Sequence, residues 1–258
     1  MKDIQSKKDN RGLGIKEVGV SDVFLPIFVS DKKNGKQQVV AKIKMSTNLP
    51  ADVRGTHMSR FLEAIRAYES HGFNISSVDE LLQHIKSVLE TSEANIEIAF
   101  PYFIEKTAPI SQKKFLMGYQ CKIIGKTFKN NKIVKKLEVC VPISSLCPCS
   151  KEISRNGAHN QRGLVVMNVI TSDFIWLEDL IEIAEREASG ILYPILKRPD
   201  EKYVTEKMFD SAKFVEDIVR DVALSLNRDK RVADFFVKCT NYESIHNHNS
   251  YAKITKQK

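Results

Sequence analysis

Two stripes of apolar residues at helical spacing, framed by runs of strand-like alternation, constrain this fold more than any other feature of the chain. Met58, Phe61, Leu62, Ile65 and Tyr68 form the first stripe, and Val78, Leu81, Leu82, Ile85, Val88 and Leu89 form the second. Apolar residues at i, i+3 and i+4 mark helices that press one face onto a core. Gly72 stands where the first helix would end, and Ser77 with Glu80 has capping-box spacing at the start of the second. Strand-like residues 23–29 and 38–45 precede them, joined by the turn signal Lys33-Asn34-Gly35. Residues 94–104, 113–128 and 132–143 are strand-like again, with Asn130-Asn131 turning the chain between the last two. The first half therefore opens in the order β-β-α-α-β-β, with one further strand-like run after it.

The second half repeats that logic more loosely. Residues 163–171 pattern as a strand, 176–188 as a helix, 211–227 as a clearer helix, and 232–240 and 251–254 as strands. Phe214, Val215, Ile218, Val219, Val222 and Leu226 mark the buried side of the later helix. The expected architecture is α+β: a polar arm over 1–20, a first module over 21–146 and a second over 147–258, each around an antiparallel sheet. Edge strands left on such sheets favour closure into an oligomeric barrel.

Composition narrows the function classes. Of 258 residues, 42% are hydrophobic and 28% charged, which fits a globular chain rather than a disordered one. No apolar run reaches the roughly 20 residues that a bilayer span needs. The charged N-terminus lacks the apolar core of a secretory signal, so a cytoplasmic protein is expected. Five cysteines, two of them one residue apart, make no disulfide framework and read as reduced thiols. The net charge of +8 suits a polyanion. The lysines are dispersed apart from clusters at 129–136 and 253–258, and no aromatic RNA-binding motif is present, so a phosphorylated metabolite is the better partner and no nucleic acid is expected.

The chemistry concentrates between Cys147 and Arg162. In Cys147-Pro148-Cys149 the proline favours extended geometry before it, and alternation would turn both sulfurs to one side. His159 follows in the turn-rich segment Asn156-Gly157-Ala158-His159-Asn160-Gln161-Arg162-Gly163. A thiolate and an imidazole brought together by a loop can bind Zn²⁺ or a similar ion, or act as nucleophile and base. The plainer alternative is two core cysteines and a surface histidine. The C-x-C spacing without a second pair disfavours a structural zinc ribbon and leaves a catalytic site with distant ligands. His246-Asn247-His248 would place two imidazoles on one side of an extended segment, and Glu201 stands in a loop leading toward a helix. Each has a bland reading, as an exposed tail and as a carboxylate favoured at a helix entrance. A further dense segment runs from Ser46-Thr47-Asn48-Leu49-Pro50 through Arg54-Gly55-Thr56-His57-Met58-Ser59-Arg60-Phe61, where arginines and helix N-terminal amides can hold an anion; ordinary capping by Thr56 is the alternative.

These segments, in this order and spacing, resemble the type IB GTP cyclohydrolase I family, a prokaryotic and metal-flexible group. The resemblance rests on the 46–61 segment, on Cys147-Pro148-Cys149-Ser150-Lys151-Glu152-Ile153-Ser154, on Gly157-Ala158-His159-Asn160-Gln161-Arg162-Gly163, and on the opening Asp3-Ile4-Gln5-Ser6 with Asp9-Asn10-Arg11-Gly12. It implies a tunnelling fold with two β-β-α-α-β-β modules per chain, assembled into a homotetramer. It implies hydrolysis of GTP at C8 to 7,8-dihydroneopterin triphosphate and formate, the entry to tetrahydrofolate, by a hydrolase acting on C–N bonds in cyclic amidines. The implied ligands of a divalent ion (Zn²⁺, Mn²⁺ or Fe²⁺) fall on Cys147, His159, Glu201 and His246. Cys149 matches a second active-site cysteine, and Cys147, Cys149 and His159 form the implied catalytic set. Glu216 matches a purine-anchoring glutamate by its place on the long helix, the alternative being a solvated pair with Arg220. His248, Arg54, Thr56 and His57 complete the expected substrate contacts. Two rival functions remain at this stage: an NADPH-dependent nitrile reductase, whose lone nucleophilic cysteine the Cys-Pro-Cys segment argues against, and a zinc-containing RNA-binding protein, motivated by the charge.

Overall fold

The computed structural model describes residues 5, 7–66, 68 and 72–256. Asp3, Ile4 and Ser6 of the opening motif and Lys258 of the C-terminal lysine cluster lie outside the described residues. In chain order the elements are β1 (Ile15–Asp31), β2 (Gly35–Leu49), α1 (Met58–Arg66), β3 (Gly72–Phe73), α2 (Ser77–Leu89), β4 (Asn95–Thr107), β5 (Lys114–Thr127) and β6 (Ile133–Leu146). They continue with α3 (Pro148–Ile153), β7 (Asn160–Thr171), α4 (Leu177–Arg186), β8 (Gly190–Ile191), α5 (Arg198–Asp210), α6 (Val215–Arg228), β9 (Val232–Asn241) and β10 (Ser250–Thr255).

The sheet corrects the expected tunnelling fold of two self-contained β-β-α-α-β-β modules. The strands form one ten-stranded sheet in the order β10-β9-β7-β6-β5-β4-β2-β1-β3, with β8 pairing β6 off that path. It is mixed, because β3 joins β1 in parallel. The physical reason lies in strand length. β4, β5 and β6 run for 13, 14 and 14 residues, long enough to keep one ladder continuous where two sheets were expected. Alternation predicts which face of a strand is buried and says nothing about where a sheet ends.

The chain divides into two compact units, residues 1–101 with 122–136, and residues 102–121 with 137–258. In the first, β1 and β2 form a long antiparallel hairpin closed by Asp31↔Gly35. The Asp31 carboxylate accepts from the amides of Lys33 (2.9 Å) and Asn34 (2.7 Å), and Gly35 takes a positive φ of 80°. α2 buries Val78, Leu81, Leu82, Ile85 and Leu89, while α1 buries Phe61, Ala64 and Ile65. Gly125 of β5 lets α2 lie close: a Cβ there would meet Val78 Cγ1 at 2.2 Å.

Two local expectations differ. The first helix ends at Arg66, and Gly72 pairs with Phe28 as a strand residue instead of capping it. Ser77 and Glu80 form no capping box. The Asn74 side-chain carbonyl accepts from the amides of Ser76 (2.8 Å) and Ser77 (3.1 Å), an Asx turn that takes over the entry to α2.

In the second unit β7, β9 and β10 are antiparallel neighbours, with Gly163↔Asn241 and Ser250↔Asn241 in register. α6 packs on β9 and β10 through Val215, Ile218, Val219, Val222, Ala223 and Leu226. Buried Glu185 of α4 accepts from Tyr119 Oη at 2.7 Å and pairs with Lys106. Burial, the neighbouring Glu185 charge and this hydrogen bond push the Tyr119 phenol well above its usual range. Glu201, expected in a loop leading toward a helix, already lies in the first turn of α5. That helix buries only Asp200 and Met208, so no apolar stripe announces it. Among the described residues no helix is long and apolar enough to cross a membrane.

Candidate active site

At one end of the second unit four chain segments meet. β6 ends at Leu146 and delivers Cys147, β7 opens beside His159 and Gln161, α6 begins with Val215 and Glu216, and the 242–249 connection from β9 to β10 carries Glu243, His246 and His248. These residues, with Phe214 and Ser250, line a cavity of about 280 Å³.

Cys147 keeps the extended backbone expected before proline, with φ −73° and ψ 117°. The residues after it do not continue as a strand. Pro148 opens α3, since a proline at the first helical position loses only an amide that has no intrahelical partner anyway. Cys147 becomes the N-cap, its Sγ accepting from the Ser150 amide at 3.5 Å. The two sulfurs therefore differ in setting: Cys147 is half-buried on the cavity wall, and Cys149 is exposed on the first turn of α3.

His159 is held from several sides. Its amide donates to Ser150 Oγ at 3.0 Å, its carbonyl accepts from the Cys147 amide at 3.1 Å, and its Nδ1 lies 3.0 Å from Gln161 Oε1. His246 and His248 do point the same way, with rings stacked 5.1 Å apart at an interplanar angle of 19°. Ser250 Oγ donates to Glu243, which presents a second carboxylate to the cavity beside Glu216. Arg220 pairs with Asp217 at 3.5 Å rather than with Glu216.

Three of the four expected metal ligands thus share the cavity, namely Cys147, His159 and His246, together with Glu216 and His248. Glu201 is not on its wall. It is exposed in the first turn of α5, one residue from Asp200, whose buried carboxylate accepts from the amides of Ile110, Ser111 and Lys197, each at 2.8 Å. Among the described residues no group of three or more His, Cys, Asp or Glu side chains is arranged to hold an ion. Thiolate sulfur and imidazole nitrogen nonetheless suit Zn²⁺ and its first-row neighbours in kind.

A second cavity, of about 290 Å³, lies in the first unit and is lined by Thr47, Asn48, Gly55, Thr56, His57, Arg60 and Thr91 among others. Arg60 Nη1 donates to the Val88 carbonyl at 3.3 Å, which fixes it at the end of α2. Arg54 is exposed and off this wall, with its amide donating to the Lys7 carbonyl at 3.1 Å.

Sequence reasoning assigned no role to Gln161 and Glu243. Gln161 lies two residues from His159, the strand spacing that shares a face, and Glu243 lies three residues before His246. Those short separations were the available signals.

A family model described as type I GTP cyclohydrolase folE2 matches residues 1–252. The chain is 48% identical to the GTP cyclohydrolase FolE2 of Nitrosococcus oceani over 258 residues, all of this chain and 96% of that protein. It is 49% identical to that of Magnetococcus marinus over 254 residues, 98% of this chain and 95% of the relative. In fold it is similar to the uricase of Arthrobacter globiformis, with a TM-score of 0.53 over 95% of this chain and 94% of that one; at 7% identity the likeness bears on fold alone. A match along nearly the whole length, at close to half identity, is decisive: the chain belongs to the type I GTP cyclohydrolase FolE2 family.

Proposed function

We propose that this protein is a GTP cyclohydrolase that hydrolyses GTP at C8 to 7,8-dihydroneopterin triphosphate and formate, the first step toward tetrahydrofolate. The observation that carries the reading is the gathering of Cys147, His159, His246, His248 and Glu216 on one cavity of a chain in this family. No observation supports the nitrile reductase or the RNA-binding alternative.

The proposed metal ligands are Cys147, His159 and His246 on the cavity. Glu201, exposed in the first turn of α5 and off the cavity wall, is the fourth donor the family resemblance implies. When bound, a divalent ion lowers the pKa of a coordinated water, the chemistry that attack at C8 needs near neutral pH. The protein's own groups do the rest. Glu216 accepts hydrogen bonds from the guanine N1–H and exocyclic amine, which orients C8 toward the thiol and imidazoles. His248 stacks on His246 and limits where the purine ring can lie. Cys149 or His159 moves protons as the imidazole ring opens and formate departs. Arg54, Thr56 and His57 are the proposed substrate contacts of the first unit, where helix N-terminal amides and an arginine suit a triphosphate.

The proposal extends to a cytoplasmic homotetramer. Exposed Phe24 and Val40 in the first unit and Phe115 and Leu116 in the second support a covering partner. Light scattering on the purified protein tests the assembly. The activity is tested by incubating the protein with GTP and Mn²⁺ or Zn²⁺ and reading pterin fluorescence after oxidation. Absence of product with every divalent metal would sink the proposal.

A further inference from the structure

The contact between His159 and Gln161 has no part in the roles above. Gln161 is 8% exposed, lines the same cavity as His159, and places Oε1 at 3.0 Å from the ring's Nδ1. The residue's backbone is anchored in turn, because its main-chain carbonyl accepts from buried Ser144 Oγ at 3.4 Å. An amide oxygen can only accept, so this contact is a hydrogen bond only in the tautomer with its proton on Nδ1. A neutral imidazole has a single N–H, and Nε2 is left as the lone pair. Imidazole rings of histidine free in water prefer the other tautomer, so this form needs a partner to hold it. The backbone bonds of His159 to Ser150 and Cys147 limit how far the residue can shift. Orientation and tautomer are thus set from outside the ring.

We infer that Gln161 is a positioning residue: it holds His159 as the Nδ1–H tautomer and leaves Nε2 as the nitrogen that ligates the metal. The purpose of this arrangement rests on the metal-centre reading above. Outer-shell partners of this kind typically change metal affinity by about 10–100-fold when removed.

The test uses the full chain. Long-range ¹H–¹⁵N spectra of metal-free protein are expected to show His159 with the proton on Nδ1. Gln161→Leu should move the population toward Nε2–H and weaken Zn²⁺ binding, measured by chelator competition, by about 10–100-fold. Gln161→Glu keeps an acceptor at the same reach and should hold both tautomer and affinity close to the parent. It also keeps the test informative if the leucine variant folds poorly. A parent spectrum with His159 protonated on Nε2 overturns the inference, as does a leucine variant with unchanged tautomer or unchanged affinity. A parent with the expected tautomer that binds no metal supports the hydrogen-bond assignment and overturns the metal-centre reading instead.

Discussion

The amide of Cys147 donates to the carbonyl of His159 at 3.1 Å, so a thiol that caps a helix and an imidazole that precedes a strand share one backbone frame. Ser150 closes the frame: its amide donates to Cys147 Sγ at 3.5 Å, and its Oγ accepts from the His159 amide at 3.0 Å. Two of these three bonds leave the reactive side chains out. The frame should therefore outlast changes in those side chains.

Cys147→Ala and His246→Ala should each abolish turnover of GTP while the protein stays folded. Losing the sulfur cap costs about 0.5–2 kcal/mol at most, the range for N-cap deletion, and exposed His246 contributes no core packing. Activity assays beside thermal melts and light scattering separate the effects. Full activity in either variant removes that residue from the site.

Stripping metal with a chelator should stop turnover and leave far-UV circular dichroism unchanged. A structural zinc protein unfolds when its ion is removed. Here each unit has an apolar core, built around residues such as Leu81 and Ile85 in the first and Val219 and Val237 in the second. Loss of helical signal on chelation would contradict a catalytic role for the metal and favour a structural one.

Asp200 should give the protein an acid-sensitive limb. Burial disfavours its charge, but hydrogen bonds from Ser111, Lys197 and Ile110 outweigh that and hold the carboxyl well below the usual carboxylate range. With the folded pKa depressed, its contribution is fully present above the unfolded value of about 3.9 and is lost as pH falls below it toward the folded pKa. Asp200→Asn should lower the urea midpoint at neutral pH and flatten its fall in acid. An acid limb as steep in the variant as in the parent would assign the pH dependence to other groups.

Gly125→Val should destabilise the first unit. Even a Cβ would stand 2.2 Å from Val78 Cγ1 and 2.9 Å from Leu82 Cδ1, both on buried positions of α2. Overpacking of this kind costs about 1–3 kcal/mol, readable as a lower urea midpoint with an unchanged slope. A variant as stable as the parent would mean that α2 can shift away from β5 at little cost.

Local signals carried far in this chain. Gly35 and Asn131 take positive φ at the turns that Lys33-Asn34-Gly35 and Asn130-Asn131 announced. The rings of His246 and His248 stack, but on a bent connection rather than the extended segment expected. The buried positions of α2 and α6 fall within their stripes, but Val88 is only half-buried and Phe214, at the N-cap of α6, is exposed. Family membership was legible because motif order and spacing are properties of the chain itself. Other features depended on competition between local choices: Asn74 outbid Ser77 at the entry to α2, and Pro148 started a helix where a strand was expected.

What the sequence by itself determined is therefore periodicity, turn chemistry and the identity of the reactive groups, since each depends on residues within a few positions of one another. Only the tertiary structure decided that ten strands share one sheet, that α5 carries Glu201 away from the cavity wall, and that Gln161 and Glu243 join the histidines there. The reason is physical. A pattern of apolar residues records which face of an element is buried, whereas strand order and the meeting of β6, β7, α6 and the 242–249 connection are set by packing between segments up to about a hundred residues apart, and no local pattern encodes that.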